Sequence, residues 1–343
     1  MKLDVGLAVD GKHLPNIAGI ASAAEAMGFA GLWTSETKHD SFLPLALAAE
    51  HTSTIELGTS VAIAFGRSPM VTAQTAWDLQ DFSGGRLLLG LGTQVKAHIE
   101  RRFSMPWDAP APRLRDYIQA LRAIWHSFQT NEPLNYRGQF YQHTLITPFF
   151  NPGPIEHPYI PIYIAGVNTG LARLAGELCQ GFHIHPFHSP QYIREIVQPA
   201  IAEGAAKTNR SIQDVELATS VFIITGRSAP AIAEQRERMR AQIAFYASTP
   251  TYSVVLGVHG WEAIGTQLGQ LAKAQRWHEM AALISDEMLQ ALTVEAPPDE
   301  IGPTIRARYE GLVDRVAFYL PFEPGVDDAF WQATLQAIHR AQL

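Results

Sequence analysis

The sequence has a single cysteine, Cys179, among 343 residues. No disulfide can form within the chain, so its fold must rest on a packed core and is not tied to an oxidising compartment. It also lacks any cluster of lysine and arginine: 26 basic residues against 33 acidic ones leave a formal charge of −7. A mildly acidic chain has nothing to draw it to a polyphosphate backbone, so nucleic acid is not an expected partner. No uninterrupted apolar run approaches the roughly 20 residues of a bilayer span; Leu43–Ala49 and Val254–Val258 are far too short. Asp4 interrupts the apolar stretch that a leader would need near the first residues. These absences lead to the expectation of a soluble, cytoplasmic protein with no membrane contact. What is present is a composition of 47% hydrophobic and 17% charged residues, which suits a large buried core.

The apolar residues fall into short runs. Leu3–Val9, Ala30–Thr34, Ile55–Ala64 and Arg86–Leu91 read as strands, and their nearly continuous apolar character marks strands buried on both faces. Helical stretches separate them. Ile17, Ile20, Ala24 and Met27 recur at helical spacing behind Pro15, and Gly28 is placed to close that helix in a left-handed cap. Pro44–His51 is the next helix, and a third runs from Ser68-Pro69 to Ser83-Gly84-Gly85. The middle is less regular, with a polar loop at Thr93–Pro112, a helix at Leu114–Phe128, a small hairpin at Tyr136–Tyr141 and a proline-marked connector. The rhythm then resumes with strands at Ile162–Ala165, Gly181–His185, Val215–Thr225 and Asp314–Leu320, and the last helix at Asp328–Gln342.

Eight strand–helix units predict an α/β fold, a (β/α)8 TIM barrel. Residues 1–343 read as one domain, with insertions at about 93–112, 129–160 and 249–294. An open doubly wound sheet is disfavoured, because Gly90-Leu91-Gly92 lacks the third glycine of a dinucleotide-binding fingerprint.

Barrel active sites form at the C-terminal ends of the strands. The small-residue turn Ala165-Gly166-Val167-Asn168 feeds an amphipathic helix, and its N–H groups and dipole would favour an anion such as phosphate. A plain tight turn with Asn168 or Thr169 as N-cap accounts for the same residues. Glu36 and His39 after strand 2 offer an acid/base pair, although charged loops are often only solvated. His183 and His185 lie two apart on strand 6 and share a face. A His-x-His pair can hold a divalent metal, but strands 7 and 8 end in Thr225-Gly226-Arg227 and Tyr319-Leu320-Pro321. Neither supplies a further ligand, so the histidines read as pocket lining and no metal is expected. Cys179 reads as a small buried hydrophobe.

The chain resembles the luciferase-like flavin and deazaflavin oxidoreductases, particularly the branch that uses coenzyme F420. The matching segments span nearly the whole sequence: Ala24-Glu25-Ala26-Met27-Gly28-Phe29-Ala30-Gly31-Leu32-Trp33, Ile55-Glu56-Leu57-Gly58-Thr59-Ser60-Val61, Ala73-Gln74-Thr75, Ser83-Gly84-Gly85-Arg86 through Thr93, and Ile162-Tyr163-Ile164-Ala165-Gly166-Val167-Asn168 leading into Leu174-Ala175-Gly176-Glu177. The resemblance implies that the cofactor ring lies in the barrel mouth, backed by a bulge after strand 3 at Ser60, Val61 and Ala62, often with a non-proline cis peptide. It places Gly92, Thr93, Gln94, Lys96 and His98 beside the ring and its polar tail, and the cofactor phosphate near Ala165, Gly166, Val167 and Asn168. The family pattern of an acid followed by a catalytic histidine is broken here: Glu36 matches the acid, but Thr37 stands where the histidine would be, with His39 two residues on.

The implied reaction is hydride transfer between F420 and a small organic substrate. Glu36 and His39 would handle protons, while Trp33, His183, His185 and Phe187 would shape the pocket, under a lid carrying Trp107, Trp261 and Trp277. The resemblance also implies a homodimer. An FMN-dependent monooxygenase using O2 has the same fold and is the alternative; a metal-dependent barrel hydrolase through His183 and His185 is a distant third. The Glu36/His39 pair argues against a non-catalytic flavin-binding barrel.

Overall fold

The structure, a computed structural model, describes residues 1–7 and 14–339. The expected ends of the first strand, at Ala8 and Val9, and of the last helix, at Gln342, lie outside the described residues.

Eight strands form the barrel: β1 (Lys2–Leu7), β2 (Gly31–Thr34), β3 (Glu56–Thr59), β4 (Leu87–Gly92), β5 (Ile162–Gly166), β6 (Gly181–Ile184), β7 (Glu216–Ile224) and β8 (Arg315–Phe318). Each pairs in parallel with the next, and β8 pairs with β1, so the ring closes. All eight coincide with the strands predicted from the apolar runs. Two short strands extend the ladder: Ala62–Ile63 beside β4 and Thr293–Glu295 beside β7.

The helices return the chain over the outside. In α1 (Ile17–Met27), Gly28 takes φ 98° and its N–H bonds back to Ala24 and Glu25, the left-handed cap expected of it. α2 spans Leu43–Glu50. α3 (Pro69–Phe82) starts with the Ser68 hydroxyl accepting from the Val71 N–H. The helix Pro110–Thr130 is longer than predicted at both ends, because prolines at 110 and 112 suit a first turn that needs no N–H. The polar loop after β4 contains a helical turn, Lys96–Arg101, and the hairpin pairs Tyr136–Arg137 with Gln142–His143. Residues 249–294 are mostly helical, as predicted, except that their end joins the sheet beside β7.

Alternation along β1 sends Leu3, Val5 and Leu7 outward into the main core between strands and helices. The inward face carries a different chemistry. Trp33, Leu88 and Tyr163 form a separate cluster inside the barrel, and room for the rings comes from glycine. A Cβ at Gly58 would lie 2.2 Å from the Trp33 ring, and one at Gly181 2.0 Å from the Tyr163 ring.

Beside this cluster the interior holds a charged network. Arg315 of β8, with its side chain fully buried, donates from Nε to Asp4 Oδ2 at 2.7 Å and from Nη2 to Asp4 Oδ1 at 2.8 Å. Its Nη1 reaches Glu56 Oε2 at 2.5 Å and Glu216 Oε2 at 3.3 Å. Lys2 closes the network on Glu56 and Glu216 at 3.3 and 3.1 Å, and the Tyr163 hydroxyl donates to Glu216. Residues of β1, β3, β5, β7 and β8 are thereby tied across the barrel.

Outside the barrel, Glu25 at the end of α1 accepts from the backbone N–H groups of Ser53, Thr54 and Ile55, at 2.8, 2.5 and 2.9 Å. Partial burial alone would raise its pKa, but these amides outweigh it and bring the carboxyl down to about 2.

Two predictions follow the charges. Replacing Arg315 with Met strands the buried Asp4 carboxylate, so unfolding by urea should show a loss of about 3–5 kcal/mol. The double variant carrying Asp4→Asn as well should recover part of it, and equal losses in both would show that the pair is not the source. For Glu25 the folded pKa lies below the ordinary value of 4.5, so its stabilisation is complete above that value and is lost as pH falls from there toward 2. Acid titration of Glu25→Gln by circular dichroism should show a lower melting temperature at pH 7 and a difference from the parent that shrinks across that window.

Candidate active site

A cavity of about 480 Å³ opens at the C-terminal end of the barrel. It is walled by the ends of β1, β2, β6, β7 and β8 together with Ser60 from the loop after β3. Of the predicted pocket residues, Trp33, His183 and His185 line it, and Phe187 does not. Phe187 is fully buried one layer back, packed on Tyr246 and Tyr252.

Trp33 forms part of the floor. Its Nε1 donates to Asp4 Oδ2 at 2.8 Å, and the Arg315 guanidinium sits 5.2 Å from its ring centroid. The charged interior therefore orients the ring from below. His183 packs edge-on against Trp33 at 4.7 Å and beside Tyr163 at 5.3 Å. Burial, with Arg315 adding, pushes its pKa down to about 3, so it is neutral at physiological pH. Its Nε2 is buried and has no hydrogen-bond partner among the described residues.

His185 is also neutral, its pKa lowered to about 3 by burial and then by His188. Its Nδ1 accepts from the Phe187 N–H at 3.1 Å. The ring proton is thereby assigned to Nε2, which donates to the Tyr252 hydroxyl at 3.1 Å. With both nitrogens taken, His185 has no lone pair for a metal. Among the described residues no three His, Cys, Asp or Glu side chains converge as a metal site.

The expected Glu36/His39 acid–base pair does not form among the described residues. Glu36 is buried, and its Oε2 accepts from the Ile63 N–H at 2.8 Å and from Arg67 Nη1 at 2.6 Å. Arg67 also holds Asp40 at 2.7 Å and lies over the Phe42 ring. His39 is exposed and does not reach the cavity wall; Thr37 does. The physical reason is competition: an arginine that forks onto two carboxylates offers Glu36 a stronger partner than a solvated imidazole. Arg67 lies 31 residues from Glu36, beyond what the local motif reveals.

The predicted cofactor residues gather on the other side of the mouth. The Ser60–Val61 peptide is cis, at the position the resemblance marks. Ser60 N donates to Thr34 O at 2.6 Å, and Ala62 and Ile63 pair with Leu91 and Gly92. A Cβ on Gly92 would lie 2.4 Å from Val61 Cγ2, so only glycine lets the bulge approach β4 this closely. Thr93 and Gln94 are half-buried, Gln94 at φ 53° with its carbonyl accepting from Trp107 Nε1 at 3.1 Å. Lys96 and His98 are exposed on the helical turn that follows. Ala165, Gly166 and Val167 are half-buried at the end of β5, and the Val167 carbonyl accepts from the Tyr192 hydroxyl. Asn168 is exposed and extended ahead of the helix Thr169–Leu178, and its side chain makes no capping bond.

Sequence reasoning missed the tyrosines. Tyr246, at the end of the helix Ala229–Ala247, and Tyr319, just past β8, line the cavity, and their hydroxyls lie 3.1 Å apart. Tyr252 from the 249–294 segment joins them around His185. The lid tryptophans lie elsewhere: Trp261 stacks on His259, and Trp277 packs on Phe245.

The sequence model of a family described as luciferase-like monooxygenase matches residues 2–315. An uncharacterized protein of Mycobacterium tuberculosis is 44% identical over 337 residues, covering 97% of this chain and 98% of that relative. The coenzyme F420-dependent tetrahydromethanopterin reductase of Methanopyrus kandleri shares the fold with a TM-score of 0.76 at 22% identity, over 98% of this chain and 97% of its own. The oxygenating constituent of 3,6-diketocamphane monooxygenase from Pseudomonas putida, solved in complex with FMN, does so with a TM-score of 0.66 at 15% identity, over 98% and 97%. Closed-barrel topology, the match over residues 2–315 and the relative at 44% identity agree: the chain belongs to the luciferase-like monooxygenase family, whose members are oxidoreductases or monooxygenases that depend on F420 or a flavin.

Proposed function

We propose that this chain is a coenzyme F420-dependent oxidoreductase acting on a small organic substrate. The carrying observation is the barrel mouth itself: one cavity lined by Trp33, Ser60 and His183, with the bulge after Ser60 held against β4 through Ala62 and Ile63. The residues present fit the cofactor. The first N–H groups of the helix Thr169–Leu178 have no side-chain cap, which leaves them free to donate to a phosphate oxygen. Gly92 and Gly166 keep the cradle clear of side chains. Exposed Lys96, His98 and Arg101 on the adjoining rim suit an anionic tail, and this favours F420 over FMN, which ends at its phosphate. When bound, the deazaflavin supplies the hydride-carrying carbon. The chain's own part is to seat the ring over Ser60–Val61 and Trp33, to present a neutral wall at His183 and to exclude water.

FMN-dependent monooxygenation is the second reading, since the same helix terminus suits an FMN phosphate. Val71 and Phe82, exposed on one face of α3, support the expectation of a homodimer. No helix among the described residues is long and apolar enough to cross a membrane.

Titration of the purified protein with F420 and, separately, with FMN, followed by cofactor fluorescence, tests the reading. F420 should bind in the micromolar range or tighter, and FMN more weakly; FMN binding with no F420 binding would overturn it. The geometry also separates Glu36 from His39. Glu36→Gln should lower stability by about 1–3 kcal/mol through its lost ion pair. His39→Ala should change stability by no more than about 0.5 kcal/mol and leave F420 affinity unaltered. A large loss of F420 affinity in the His39 variant would contradict this placement.

A further inference from the structure

A second cavity, of about 570 Å³, lies at the end of the barrel opposite the mouth. Ile160 and Gln180 in its wall stand just ahead of β5 and β6, and it shares no lining residue with the mouth cavity. Its volume is that of a small-molecule site. Three elements build it. Arg115, Arg122 and Trp125 of the helix Pro110–Thr130 are spaced to share one helix face. Leu178 ends the helix Thr169–Leu178, and Tyr159 and Ile160 come from the proline-marked connector.

The lining divides into an apolar floor and a cationic edge. Trp125 and Ile160 are buried, whereas Tyr159 is 65% exposed, with its backbone carbonyl held by Gln80 Nε2 at 2.9 Å. Glu177 is the one carboxylate in the wall, and both its oxygens are taken by Arg115. Arg122 and Arg210 complete the charged lining, and neither makes an ion pair among the described residues. Arg122 donates from Nη2 to the Leu178 carbonyl; Arg210 donates to the carbonyls of Gly176 at 3.0 Å and Cys179 at 2.6 Å. These bonds answer the orphan carbonyls of a helix end and set no full negative charge against either guanidinium. The N–H groups on Nε and Nη1 of Arg122 have no partner among the described residues. Burial raises the Cys179 thiol to about 12 against the opposing pull of Arg122, Arg210 and Arg115, so three guanidiniums converge on this helix end.

We propose that this cavity is a second ligand site, separate from the barrel mouth, and that it takes a small aromatic carboxylate. The ring lies on the floor of Trp125, Ile160 and Leu178 under Tyr159, and the carboxylate meets Arg122, with Arg210 adding charge. Each half of such a ligand answers one half of the lining. A neutral aromatic fills the floor but leaves the guanidiniums unmatched. A small inorganic anion meets the charge but leaves the floor wet. Guanidinium–carboxylate bonds are charge-assisted and geometrically specific, and burial of the ring adds an apolar contribution. The inference does not depend on which cofactor the mouth holds.

The test compares dissociation constants for 2-naphthoate, 2-naphthalenemethanol and acetate by ligand-observed NMR, on the full chain without cofactor and then with F420 present. The naphthoate should bind about tenfold tighter than the alcohol, and acetate should bind weakest. In Arg122→Gln the preference for the naphthoate should fall to about one, while binding of the alcohol stays unchanged and shows the cavity intact. Tyr159→Ala alters an exposed side chain and leaves folding untouched; it should weaken the naphthoate and the alcohol alike. F420 should leave naphthoate binding as it was. No preference in the parent, an undiminished preference in Arg122→Gln, unaltered affinity in Tyr159→Ala, or displacement of the naphthoate by F420 would overturn the inference. Failure of F420 to bind would count against the cofactor reading alone, because the preference is read without cofactor as well.

Discussion

The buried ion pair between Arg315 and Asp4 is the constraint on which the rest of the barrel depends. It joins the last strand to the first, where the ring closes, and its bidentate geometry fixes the two strands in both separation and tilt. A buried pair of this kind offsets a large desolvation cost only when every lone pair and N–H is used. Glu56, Glu216, Lys2 and Tyr163 supply those further contacts. The same network then reaches the active site, because Trp33 hangs from Asp4 by its indole N–H. Fold closure and the orientation of the cavity floor are thus one set of hydrogen bonds.

Above that floor the chemistry changes from charged to neutral. His183 and His185 are held uncharged by burial, and the upper wall is built from aromatic rings and hydroxyls. A low-dielectric, neutral chamber suits transfer of a hydride, which is sensitive to competing water and stray protons. The cradle on the β3–β5 side is the opposite in character, with open backbone N–H groups and exposed cations on its rim.

All eight barrel strands were legible because parallel strands buried on both faces leave continuous apolar runs that no helix or loop here imitates. The turn after β5 and the bulge after β3 were legible through their glycines and through resemblance. What stayed hidden is long-range. Arg315 reads in sequence as one charge ahead of Val-Ala-Phe, and its partner Asp4 lies 311 residues away. Glu36 and His39 looked like a pair because they are neighbours in sequence, whereas Arg67 decides where Glu36 points. Tyr246 and Tyr319 sit 73 residues apart on a helix end and a strand end, and only barrel closure brings their hydroxyls together. The lid tryptophans drew attention by type, yet Trp261 stacks on His259 of its own insertion, Trp277 packs on Phe245 of the preceding helix, and Trp107 donates to the Gln94 carbonyl.

The proposed cofactor placement is tested most directly by a crystal structure of the protein with F420 bound. The cofactor ring should lie against Ser60–Val61, with its phosphate at the N–H groups of residues 166–169 and its tail along Lys96 and His98. A ring stacked between His185 and Tyr246, with the turn at 166–169 free of phosphate, would contradict this placement.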